Sequence, residues 1–217
     1  MQESQKLITL SALLITKFCH DMAGPLGGIQ NGIEFLSEEP GDAEMAKQAA
    51  SLLGLSSSEA SARLQLFRQA YGTFSPLSPA GASEIAELIQ QYLGQTKIAL
   101  AWRLGGHAVN QQQRSALLQQ ITIAHQLLIY GGNIEVTTEK TGGALQLNIG
   151  GTAPKMNDDA EMKAILQNPK STIPENPAPK LIHALYWREY AAANQLKFTA
   201  SFETGHFQFA TQFPAAA

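Results

Sequence analysis

The residues best suited to chemistry lie in one short run, "KFCHDMAGPLGGIQNG", positions 17 to 32. It sets an imidazole, His20, directly before a carboxylate, Asp21, with Pro25 five positions after the histidine. An imidazole titrates near neutrality, and a carboxylate beside it can orient the ring or accept its proton, so the pair suits nucleophilic or proton-transfer work. The run also holds four glycines. Each costs a helix interior about 1 kcal/mol relative to alanine, and a proline costs about 3 kcal/mol.

On a helix of about 3.6 residues per turn, His20, Gly24, Gly27 and Asn31 share one face, turned away from Phe18 and Met22. A histidine heading a track almost free of side chains makes a surface that another protein's backbone can approach closely. Gly28 and Lys17 lie nearby and are counted with this docking surface. Pro25 has no N–H to give the carbonyl of residue 21, so the turn bearing His20 and Asp21 is expected to be loosened and the ring free to move.

The elements that must carry these residues follow from periodicity. Leu7, Leu10, Leu14, Phe18, Met22, Leu26, Ile29, Ile33 and Leu36 fall at steps of three and four, the stripe of a bundle helix. "SEEPGD" at 37–42 is a turn in which Asp42 can cap the next helix. That helix carries Ala46, Ala50, Leu53, Ser57, Ala60, Leu64, Phe67 and Tyr71, spaced four and three. Such a hairpin leaves a second apolar edge uncovered, which two chains could bury as a dimeric four-helix bundle. The alternative is that the hairpin packs on the rest of its own chain.

Residues 1–72 thus read as a helical hairpin, 73–81 ("GTFSPLSPAG" and its surroundings) as a linker, and 82–217 as a second domain. In that domain Ser83 is expected to cap a helix, "KIALAWRL" to form a strand, and residues 111–130 a long helix. "NIEVTTE" and "ALQLNIG" make a hairpin, and a Pro-rich loop at 168–180 leads to a helix over 180–194. A last pair, "LKFTASFE" and "HFQFATQF", turns at Thr204 and Gly205. The order suggests an α+β sandwich with helices on one face of a mixed sheet.

Composition narrows the partners. The 217 residues are 44% hydrophobic and 15% charged with a net charge of −3, and no basic excess points to nucleic acid or to an anionic membrane surface. The apolar run Leu7–Ile15 is too short for a bilayer, which needs about 20 such residues, so a core-facing helix is expected there. A single cysteine, Cys19, fits a reducing cytoplasm. His107, His183 and His206 share no ligand spacing, so no metal site is expected.

"H-D-x-x-G-P" on the first helix of a helical hairpin resembles the dimerisation and histidine-phosphotransfer domain of two-component sensor kinases. The flanking "FCHDMAGPLGGIQNGIEFL" is similar to bacterial histidine phosphotransferases of the ChpT type. The resemblance implies an N-terminal dimeric bundle followed by a domain like the kinases' ATPase domain. It further implies a phosphoryl relay between aspartates of two receiver domains through His20, with Asp21 assisting and Pro25 supporting the site. The partners would be receivers of a hybrid kinase and of response regulators, with Mg²⁺ on the receiver and no cofactor on this chain.

The second domain departs from a working kinase. Where the kinases' long helix carries metal-holding asparagines, this chain reads Gln120-Ile121-Thr122-Ile123-Ala124-His125, and Ala124 cannot ligate a metal. The strand ending at Gly150 is followed by "GTAPKMNDD", with no aspartate where the adenine-binding one belongs; Asp158 and Asp159 come too late. The Pro-rich loop stands where a Gly-rich lid would be. Relay without ATP binding is therefore expected, a non-catalytic adaptor of receivers or kinases being the second reading and an ATP-dependent kinase the third.

Overall fold

The computed structural model describes residues 2–38, 42–72, 81–104, 109–141, 144–168, 174 and 176–214. The chain opens with two long helices, α1 (Gln2–Glu38) and α2 (Ala43–Tyr71). α1 runs unbroken through Pro25. Asp42 caps α2 as its type and position dictate, its carboxylate accepting from the N–H groups of Glu44 at 2.9 Å and Met45 at 3.1 Å.

The hairpin packs along a seam one residue away from the expected one. On α2 the buried positions are Ala49, Ser56, Ala62, Leu66, Phe67 and Ala70; of the expected stripe only Phe67 is among them. A one-residue step rotates a helical face by about 100°, so period alone located the seam only approximately. The actual contact is made by small groups. A methyl group at Gly32 would lie 2.7 Å from Leu53 Cγ, and one at Gly28 would collide with Ser56, so glycine lets the two backbones approach. Leu7, Leu26, Ile33, Leu36, Leu55 and Leu64 remain exposed.

One end of the hairpin does bury apolar surface against the rest of the chain, because Leu10, Leu66 and Ala70 join the same core as the second domain. By length and mean hydropathy, Ser4–Ser37 is apolar enough to cross a membrane, which the run Leu7–Ile15 taken alone did not reveal. The same helix carries Lys6, Lys17, Asp21 and Glu34, and Lys6 pairs with Glu189 at 2.6 Å.

The second domain contains α3 (Ala82–Leu93), β1 (Ile98–Arg103), α4 (Gln111–Leu127), β2 (Gly132–Thr141), β3 (Ala144–Thr152), α5 (Ala160–Gln167), α6 (Ile182–Ala193), β4 (Lys197–Glu203) and β5 (His206–Gln212). The five strands form a mixed sheet in the order β1-β2-β3-β5-β4, with β1 parallel to β2 and every other pair antiparallel. Burial alternates along β5, and Ile149, Phe207 and Phe209 point into the core shared with α4 and α6. Gly151 has a packing reason for being glycine, since a methyl group there would enter the ring of Phe207 on β5.

Three sequence expectations change. Ser83 is not a cap: α3 begins at Ala82 after Gly81, with no side-chain cap bond. α4 stops at Leu127 and is opened by Asn110, which exchanges bonds with Gln113 as a capping box. The short helix α5 was not expected; its cap is Asp159, which accepts from Glu161 and Met162 N–H groups at 3.1 Å. The linker at 73–80, His107, and 169–173 and 175 of the Pro-rich loop lie outside the described residues.

Candidate active site: a histidine beside an interdomain cleft

Phe18, one face away from His20, is seated edge-on against Phe67 of α2, with ring centroids 5.3 Å apart. That contact turns the core side of α1 inward and leaves His20 outward, its side chain 82% exposed. Asp21 is 13% exposed, and its Oδ1 lies 3.5 Å from His20 Nδ1, longer than a hydrogen bond but within electrostatic reach. The same Oδ1 accepts from Lys17 Nζ one turn earlier. Lys17 is thus bound to Asp21 rather than held out for a partner. With Nδ1 on the Asp21 side, Nε2 occupies the opposite edge of the ring.

The glycines divide into two sets. Methyl groups built at Gly24 and Gly27 would meet nothing within 4 Å, and Asn31 is exposed, so the face below His20 is open. Gly28, counted with the docking surface from sequence, is turned into α2 against Ser56; its small size serves the helix seam.

Pro25 is buried, and the turn it was expected to loosen is tied down. The Asp21 carbonyl, which Pro25 deprives of a helical donor, accepts from Arg63 Nη1 of α2 at 3.0 Å. Arg63 is itself held by Glu59 Oε1, which accepts from Nε at 3.0 Å and Nη2 at 2.5 Å. Sequence reasoning missed both residues. The signal was present: a carbonyl orphaned inside a helix has to find a donor, and Glu59 and Arg63 stand one turn apart on the facing helix.

His20, Asp21, Gly24, Pro25 and Arg63 line one side of a cleft of about 710 Å³, and the second domain supplies the other through Tyr92, His125, Gln126, Asp159, Lys180 and His183. Tyr92 O–H meets His125 Nδ1 at 3.0 Å, and burial lowers the His125 pKa to about 4. Deeper in, Thr122 donates to the Gln119 carbonyl at 2.7 Å. Its oxygen then accepts from Tyr71 O–H at 3.0 Å, which leaves the Tyr71 oxygen to accept from His183 Nδ1 at 2.7 Å. Burial lowers His183 to about 3 and raises Tyr71 well above its ordinary range, so the whole chain of bonds is neutral at pH 7.

The buried glutamines of α4 bond inside the protein. Gln119 donates to the Ala70 carbonyl at 2.8 Å, and Gln120 donates to the Ala116 carbonyl and accepts from Thr211. Ala124 is fully buried. Among the described residues, no group of three or more His, Cys, Asp and Glu is placed to hold a metal ion.

Residues 82–204, more than half of the chain, match the family "Histidine phosphotransferase C-terminal domain". The chain belongs to the histidine phosphotransferases. "Protein phosphotransferase ChpT" of Brucella abortus (strain 2308) is 29% identical over 133 residues, 61% of this chain and 62% of that one, so the match spans less than two thirds of the relative. A solved structure of a bacterial phosphotransferase is 22% identical and superposes with a TM-score of 0.78, over 94% of this chain and 96% of that chain. That likeness extends through the helical hairpin and establishes the shared fold. The family match begins after α2, so His20 and its surroundings stand on their own geometry.

Proposed function

We propose that this chain relays a phosphoryl group between aspartates of two receiver domains through His20. The observation that carries the reading is the placement of His20: an exposed imidazole, Nδ1 turned toward a largely buried carboxylate, above a helix face cleared by Gly24 and Gly27. Family membership supports the same class of activity.

In the forward step, the Nε2 lone pair of neutral His20 attacks the phosphorus of an aspartyl phosphate on the donor receiver. The N–P bond forms as the O–P bond breaks, and the electron pair leaves with the donor's carboxylate. The ring retains its Nδ1 proton and becomes positive, and Asp21 Oδ1 at 3.5 Å opposes that charge. Attack by the carboxylate of the acceptor receiver reverses these events. Positioning and electrostatics account for most of catalysis in such transfers, and Mg²⁺ is proposed to come with the receiver.

The docking surface in this reading is Gly24, Gly27 and Asn31, with Lys17 at its edge and Gly28 removed from it. Lys17 and Arg63 are each neutralised by a carboxylate, which favours docking by shape and apolar contact over charge. The exposed apolar residues Leu7, Leu26, Ile33, Leu55 and Leu64 suit a second copy, giving a homodimeric four-helix bundle in the cytoplasm.

The test is a reconstituted relay: a phosphorylated receiver, this chain, and a second unphosphorylated receiver. Label should reach the second receiver with the wild type and should stop at the first with His20→Ala. Transfer by both proteins, or by neither, would overturn the assignment.

A further inference from the structure

A proline inside a helix leaves the carbonyl four residues earlier without its donor, and here that carbonyl belongs to Asp21, directly after His20. An exposed orphan would be met by water. Instead a side chain from another helix reaches it: Arg63 Nη1 donates to Asp21 O at 3.0 Å across 42 residues of sequence. The guanidinium has little freedom to leave, because Glu59 accepts from both Nε and Nη2, and the pair is about three-quarters buried. Asp21 is therefore gripped twice, at its carboxylate by Lys17 and at its carbonyl by Arg63.

We propose that Arg63 is a positioning residue for His20: it supplies from α2 the hydrogen bond that Pro25 removes from α1, and so fixes the turn that presents the imidazole. The proposal rests on the relay reading above. In this role Arg63 acts through the backbone carbonyl of Asp21. Glu59 sets the guanidinium so that Nη1 faces α1, and α1 and α2 thereby keep a fixed register at the height of His20. Pro25 and Arg63 then form one device, since the arginine bond is needed only because the proline is there.

This coupling makes the proposal testable. Transfer from a phosphorylated receiver is measured for the wild type, Arg63→Met, Pro25→Ala and the double variant, with receiver affinity determined separately. Arg63→Met, which keeps the stem and removes the donors, should lower the transfer rate on the order of tenfold while receiver affinity changes little. In the Pro25→Ala background residue 25 regains an N–H for the Asp21 carbonyl, so Arg63→Met should shift the rate there by no more than about twofold. Arg63→Lys, which keeps the charge and donors on a single nitrogen, should recover part of the loss. A purely structural ion pair between Arg63 and Glu59 predicts the same loss in both backgrounds.

Amide hydrogen exchange over residues 17–26 supplies a readout independent of the chemistry. Arg63→Met should speed exchange there on the order of tenfold, and Pro25→Ala should abolish that difference. Equal losses in both backgrounds, or unchanged transfer and exchange in Arg63→Met, would overturn the proposal. A wild-type chain that accepts no phosphoryl would overturn the relay and with it the positioning role, and the exchange pattern would still reveal whether Arg63 holds the carbonyl.

Discussion

The four glycines of α1 should respond to the same substitution in opposite directions. At Gly24 and Gly27 a methyl group meets nothing within 4 Å. Replacing glycine by alanine in an open helix interior gains about 1 kcal/mol, so the double variant Gly24→Ala/Gly27→Ala should gain about 2 kcal/mol. For a chain of this size that raises Tm by about 4–8 °C. At Gly32 the methyl group would lie 2.7 Å from Leu53 Cγ, 3.0 Å from its Cδ2 and 3.3 Å from the Ala49 carbonyl oxygen, with the hairpin backbone on that side. Overpacking costs about 1–3 kcal/mol, more than the propensity gain, so Gly32→Ala should lower Tm. At Gly28 the obstacle is chiefly the Ser56 hydroxyl, which can rotate, and the two effects should nearly cancel. Thermal unfolding followed by circular dichroism reads all four, and receiver transfer assays run beside it. Gly27→Leu should keep the fold and sharply reduce transfer. If Gly24→Ala/Gly27→Ala destabilises the protein as Gly32→Ala does, the face is packed rather than open, and the docking track is refuted.

Acid should destabilise the fold through the buried His183 and the half-buried His125. Both are held neutral, His125 with a pKa of about 4 and His183 of about 3, against 6.5 for the unfolded chain. The unfolded state therefore binds more protons below pH 6.5, and stability should fall as pH drops from about 6.5 toward 4, with His125 alone contributing about 3 kcal/mol. Chemical denaturation across that range should show a shallower decline for His125→Gln; an identical slope would remove His125 as a cause. For the dimer, sedimentation at micromolar concentration should give the mass of two chains, and Ile33→Glu/Leu64→Glu should give one. A wild-type mass of one chain would refute it.

Much of this architecture could be read along the chain. The Asp42 cap, the five strands and the hairpin turn at Thr204 and Gly205 follow from local chemistry, because caps and turns depend on residues next to one another. His20, Asp21 and the open face at Gly24 and Gly27 were equally visible, since helical spacing fixes a face. What sequence concealed was pairing between distant elements. Gly28 and Gly27 are neighbours of the same type, and only the position of Ser56 on α2 separates a packing glycine from one with open space beside it. The Arg63–Asp21 bond and the His183–Tyr71–Thr122 bonds join residues 42 to 112 positions apart, and no periodicity encodes such contacts. Asp159 comes too late in sequence for an adenine-binding aspartate, and it caps a helix too short for its pattern to stand out.

The central claim is that one atom of one residue carries the phosphoryl group. Its most direct test is mass-spectrometric mapping of the chain after exposure to a phosphorylated receiver, with the sample kept alkaline so that phosphohistidine survives. A single modified site is predicted, His20, acid-labile and absent from His20→Ala. A phosphoryl group on any other histidine, or on an aspartate, would contradict the account.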